Sequence, residues 1–182
     1  IVNAGTILLD NATGAVDIDA ALLDPGLLTV NAGTLSLNGG GSASGYDIAV
    51  AAAGVMQFGT TAAGVAHSFA ISSGFYAPGN TVVNGATLDA SGASAIVFID
   101  TLRVMSGALL LGSGNATDQG SLVESGGDIA GSGTLSVVNR GVLTGGVQTG
   151  GLTTTLAGVS AIGGGIALDG GATVLNNQWL NW

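Results

Sequence analysis

Apolar positions recur at every second residue over short stretches, and Gly, Asn and Ala break the stretches. In Val30-Asn31-Ala32-Gly33-Thr34-Leu35-Ser36-Leu37, Leu35 and Leu37 fall on one side of an extended chain and Thr34 and Ser36 on the other. Leu135 and Val137 alternate in the same way around Ser136. This pattern predicts that Leu35 is interior and that Ser36 faces out. Asn and Gly tolerate a positive φ, so Asn31-Ala32-Gly33 and Asn84-Gly85 mark bends. Each unit therefore reads as strand, bend, strand. Val, Ile, Thr and Gly stand where a helix would carry Glu, Lys, Gln and Arg, so helix is not expected.

The phrase repeats. Val2-Asn3-Ala4-Gly5-Thr6-Ile7-Leu8-Leu9 matches residues 30–37, and Val83-Asn84-Gly85-Ala86-Thr87-Leu88-Asp89-Ala90 is a near copy. Looser copies lie at 51–58, 71–78, 104–111, 130–137 and 138–145. Its small-residue anchors are Gly5, Gly33, Gly54, Gly74, Ala86, Gly107, Gly133, Gly141 and Ala172, with several intervals of 20 or 21 residues. A period of that length is too long for a hairpin and fits one coil of two or three strands. Stacked coils would place Val2, Val30, Ile71, Val83 and Val104 in one column. Ile7, Leu35, Met56, Leu88 and Leu109 would form another. The expected fold is all-β, a parallel β-solenoid of roughly nine irregular coils spanning residues 1–182 as a single segment. At a strand spacing of ~4.8 Å its length would be roughly 40 Å. Residues 41–45 and 112–120 read as protruding loops, and Gly163-Gly164-Gly165 and Gly170-Gly171 as tight bends.

Composition narrows the functions open to such a fold. Of 182 residues, 34 are Gly and 47% are hydrophobic, but only 4% are aromatic, so the interior should be filled by aliphatic side chains. Charged residues make up 7%, against ~25% in ordinary domains. Arg103 and Arg140 are the only bases, Lys is absent and the net charge is -9. Two cations do not neutralise a phosphate backbone, so a nucleic-acid partner is not expected. Without Cys there are no disulfides and no thiolate metal sites. No run of ~18 apolar residues suggests membrane insertion, and there is no basic stretch of a secretory leader. The chain starts at Ile1, in mid-pattern, and reads as part of something longer.

The repeated Val-Asn-Ala-Gly-Thr-Leu-Ser-Leu phrases, the wealth of Gly, Ala, Thr and Asn and the lack of Cys resemble the passenger regions of Gram-negative autotransporter adhesins and haemagglutinin-like exoproteins. The resemblance covers most of the chain and is one of composition, so no functional residue is carried over. It implies a right-handed parallel β-helix, secretion and display at the bacterial outer surface. It also implies adhesion or self-association as the role, as in aggregation or biofilm formation. Partners would be further copies of the chain, or a host surface, abiotic surface or glycan.

Candidate chemistry is thin, and neither catalytic residues, metal ligands nor a cofactor are expected. His67, the only His, lacks a nucleophile elbow and reads as a surface or loop residue. Asp17-Ile18-Asp19 with Asp24 could offer oxygens to Ca²⁺, but the ligand pattern is incomplete, and a solvated strand face is expected. Ser125-Gly126-Gly127-Asp128 only approaches a Ca²⁺ repeat. A polysaccharide lyase or hydrolase is the enzymatic alternative. The Asp residues are scattered, however, Arg103 lies three residues from Asp100 and Arg140 stands alone. Asn11-Ala12-Thr13 and Asn115-Ala116-Thr117 read as chance sequons. Trp179 and Trp182 read as covers over the end of the core, with a sugar-binding platform as the alternative. A flat Thr-rich face for ice or another surface is a third reading; Thr153-Thr154-Thr155 is the only dense Thr run, so a regular array is not expected.

Overall fold

The computed structural model describes residues 1–24, 26–60 and 67–182, less the side chains of Asn11, Ala12 and Asp24. The chain is all β, with parallel strands stacked as a β-solenoid of about eight turns rather than nine. A single 3-10 turn, Gly45–Asp47, interrupts the strands. Among the described residues no helix is long and apolar enough to cross a membrane.

Two sheets form the walls, with strands numbered in chain order. The larger begins with β1 (Thr6–Ile18), β2 (Leu22–Asp24), β3 (Leu27–Leu37), β4 (Gly41–Ser44), β5 (Ile48–Phe58) and β6 (Ser68–Ser72). It continues through β8 (Asn80–Gly92), β10 (Thr101–Gly112), β12 (Ser121–Gly131), β14 (Arg140–Thr149), β16 (Ser160–Ile162), β17 (Ile166–Leu168) and β19 (Leu180–Asn181). Its main order is β1-β3-β5-β8-β10-β12-β14-β16-β19. The smaller sheet runs β7 (Phe75–Ala77), β9 (Ile96–Phe98), β11 (Asn115–Asp118), β13 (Thr134–Val137), β15 (Thr153–Leu156) and β18 (Thr173–Asn176).

The period-two pattern sends one set of side chains into the space between the walls. Leu35, Leu37, Met56, Leu88, Leu109, Leu135 and Val137 are all buried there. Three expected column contacts hold: Leu35 opposes Met56, Leu88 opposes Leu109 and Val83 opposes Val104. Others shift. Val2 bridges to Leu23, Ile7 opposes Leu28 instead of Leu35, and Ile71 opposes Ala43. The cause in the first coil is local. Asp10 opposes Ala32 and Ala15 opposes Thr34, so β1 carries extra residues in the bulge, and Val16 arrives opposite Leu35.

The core is less purely aliphatic than composition suggests. All four Phe lie inside, as a Phe58–Phe69 pair with ring centroids 5.4 Å apart and a T-shaped Phe75–Phe98 pair at 5.7 Å. Each such pair adds about 1 kcal/mol beyond the area it buries.

Two stretches read as loops are part of the ladder. Residues 41–44 form β4, paired on one side with β2 and on the other with β6, and 115–118 form β11. Gly marks close stacking here rather than a protrusion. A Cβ on Gly41 would lie 1.9 Å from the Leu22 carbonyl oxygen. The expected bends at Gly163-Gly164-Gly165 and Gly170-Gly171 are turns. The anchors Gly133 and Gly141 do not continue the column of Gly107. That column, which turns the chain in the left-handed region, passes through Gly127 and Gly146, with φ of 80°, 72° and 104°.

Candidate functional site

Most of the titratable residues singled out in the sequence stay apart. His67 is half-buried in the segment entering β6, and its carbonyl accepts a hydrogen bond from the Thr87 amide at 2.8 Å. Asp17 and Asp19 are exposed, and Asp19 accepts from the Asn38 amide nitrogen at 2.8 Å. The carboxylate of Asp24 and the side chain of Asn11 lie outside the described residues. Asp128 is exposed beyond the Gly127 bend, and Asn115 is exposed at the start of β11. Arg103 is exposed on β10. Among the described residues no three His, Asp or Glu side chains gather where they could hold a metal ion.

Two acids that the sequence reading passed over are enclosed in the core. Asp118 and Glu124 have no accessible surface. Asp118 ends β11 at an inward position between Phe98 and Val137. Its Oδ1 accepts from the Gly120 amide at 3.0 Å, and Oδ2 is without a partner. Glu124 occupies the column position held by Val104 before it and Leu143 after it. Its Oε2 accepts from Gln148 Nε2 at 2.7 Å, and Gln148 Oε1 accepts from Thr154 Oγ1 at 2.8 Å. Glu124 Oε1 has no partner. Burial pushes both carboxyls up to about 7. The Gly120 amide opposes the shift at Asp118, and the charge of Asp100 adds to it. The Gln148 bond opposes it at Glu124, and Asp128 adds to it. A detectable signal was present: Leu122 and Ala116 face inward, so period two puts Glu124 and Asp118 inward as well.

The two tryptophans correct an expectation. Neither covers the core: Trp179 is 79% exposed and Trp182 is 88% exposed. The last coils end in short strands, and β19 has only Leu180 and Asn181 to pair with β16, so the flanking indoles are not drawn over the interior. Trp179 borders a shallow groove with Val159, Leu180 and Asn181. A neighbouring groove is lined by Asn139, Arg140, Val159, Ser160, Ala161 and Asn181.

Thr residues are also better ordered than expected. Stacking aligns short segments that look unrelated in sequence. Asn115, Thr134, Thr153 and Thr173 stand opposite one another on β11, β13, β15 and β18, and Thr117, Ser136 and Thr155 form a second row. Thr153 and Thr173 hydroxyls lie 3.2 Å apart. Thr154, between the rows, is buried and faces the core. Two rows of hydroxyls thus cross the outer face of the smaller sheet.

Comparison with known proteins returns no matching family model, no matching curated protein and no matching solved structure.

Proposed function

We propose that this chain is a structural and adhesive solenoid segment of a secreted bacterial surface protein, acting through adhesion or self-association. The observation that carries the reading is where apolar surface remains uncovered. Among the described residues, eleven of the fifteen large exposed hydrophobics fall in residues 1–27 and 159–182. They include Ile1, Val2, Leu8 and Val16 at one end and Val159, Leu168, Leu175, Trp179 and Trp182 at the other. Exposed apolar patches favour contact with another chain. Asp118 and Glu124 are closed to any substrate and lend no support to a glycan-cleaving solenoid. Sedimentation of the wild type and of Leu8→Asp tests the reading. The wild type should associate and the variant less so; a strictly monomeric wild type at tens of micromolar would overturn self-association.

The paired hydroxyl rows favour a second reading, attachment to an ordered surface such as ice through the flat face of the smaller sheet. Thr134→Lys and Thr153→Lys should then abolish any thermal hysteresis of the wild type. Absence of hysteresis in the wild type removes ice as the surface.

A further inference from the structure

We propose that two adjoining corner grooves, one lined by Arg140 and the other by Trp179, together bind an acidic oligosaccharide, a short chain of carboxylate-bearing sugars. The proposal rests on the adhesive reading and names a ligand for it. Val142 opposes Ala161, and Ser160 opposes Leu180. Continued by one or two residues, this register puts Arg140, Val159 and Trp179 at the same place in three successive coils. They form one column along the corner of the solenoid, with the backbones of Arg140 and Trp179 two coil spacings apart, roughly 10 Å. The two contiguous grooves beside them share Val159 and Asn181.

The chemistry of the column matches a sugar acid. Trp179 is held by its backbone, since its carbonyl accepts from the Ser160 amide at 2.9 Å, while its indole is exposed. An exposed indole on an anchored backbone offers a flat apolar face to the C–H face of a pyranose. Arg140 is exposed, and its planar guanidinium can take a carboxylate through two parallel hydrogen bonds. Asn139 donates its amide nitrogen to the Gln119 carbonyl at 2.7 Å, which leaves its Oδ1 toward a sugar hydroxyl; Asn181 supplies a second exposed amide. Charge complementarity selects the acidic class. In a chain of net charge -9 with two Arg and no Lys, one Arg lines the groove that adjoins the Trp179 groove. Repulsion from the remaining acids is screened beyond ~8 Å at physiological ionic strength.

The test uses galacturonate tetramer and its methyl ester, which has the same stereochemistry without the charge. In Trp182→Phe the emission reports Trp179 alone. Titration at physiological salt should give a saturable change with the acid, and binding about tenfold weaker with the ester. Arg140→Gln in that background should lose about tenfold for the acid and little for the ester. Trp179→Ala, followed by calorimetry, should weaken both. All these side chains are exposed, so unchanged circular dichroism is expected and checks the fold. No saturation with the acid, equal binding of acid and ester, or an unaffected Arg140→Gln would each overturn the proposal. Self-association measured on the same samples separates the outcomes: a chain that associates without binding the tetramer keeps self-association and loses its glycan, and a monomer that binds it keeps adhesion to a glycan and loses self-association.

Discussion

A carboxyl closed inside an apolar interior is held as the neutral acid, and folding then draws protons from solution. Asp118 and Glu124 titrate near 7 in the folded chain, above their ordinary values of 3.8 and 4.5. The folded state therefore binds more protons than the unfolded state between those limits. Stability from these groups is fullest at acid pH and is lost as pH rises through about 7, by roughly 3–4 kcal/mol per group. Guanidinium unfolding at pH 5 and pH 8 should show the wild type weaker at pH 8, and Glu124→Gln should remove about half of that difference, leaving the part due to Asp118. A wild type equally stable at both would contradict the enclosure of these acids. Leu35→Asp would place an unpaired carboxylate beside Met56 and cost several kcal/mol. Its neighbour departs from simple alternation: Ser36 is outward in the pleat but only 3% exposed, because Asp17 and Gln57 flank it in the ladder. Ser36→Asp would set two carboxylates side by side at a cost of about 1 kcal/mol, which Asp17→Asn should relieve in a double-mutant cycle. Alternation is thus readable from sequence, whereas cover by a neighbouring coil is not, since it depends on which residue stacks above. The same gap hid Glu124: scattered acids look solvated until register puts one between Val104 and Leu143.

At the level of strands and bends, the period of about twenty residues and the parallel stacking were legible, because each coil repeats the same apolar positions. The register was legible only in part. In the later coils Thr101, Ser121 and Arg140 stand opposite one another, while in the first coil the bulge in β1 brings Val16 rather than Ile7 opposite Leu35. Gly proved ambiguous for a physical reason: it serves open turns and crowded stacks alike. Gly127 has a φ of 72°, and a Cβ there would stand 2.8 Å from the Gly107 carbonyl oxygen. Gly114 has no atom within 4 Å of a built Cβ and no positive φ. Gly127→Ala should therefore cost more than 1 kcal/mol, roughly, whereas Gly114→Ala should be neutral or mildly stabilising. Thermal unfolding of the two variants compares them directly, and equal midpoints would refute the stacking role of the Gly127 column.

For the whole molecule, net charge works against the self-association proposed above. Like charges repel at long range, and only two cations exist to form attractive pairs. Added salt removes more repulsion than attraction, so sedimentation should show larger species as salt rises from low to physiological concentration and above. A decrease with salt would point instead to ionic contacts between copies. The fold class was legible at this scale because composition and period act together on every coil. The adjoining grooves at Arg140 and Trp179 were not, since residues 39 positions apart come to neighbouring grooves only when the coils are stacked.

The hydrogen-bonded chain from Glu124 through Gln148 to Thr154 joins β12, β14 and β15 inside an otherwise apolar lumen. Columns of Leu and Val are interchangeable, and a coil that slipped by one whole repeat would still bury apolar side chains. The polar chain is not interchangeable. In a slipped ladder Glu124 would lose Gln148 and be left without any partner at either oxygen, a penalty of about 1–3 kcal/mol. It therefore works as a key that admits one alignment of neighbouring coils. Gln148→Leu should keep the apolar contacts but lose that discrimination, and refolding should then yield a mixture of slowly exchanging species. A Gln148→Leu protein that refolds as uniformly as the wild type would show that alignment is kept by other contacts.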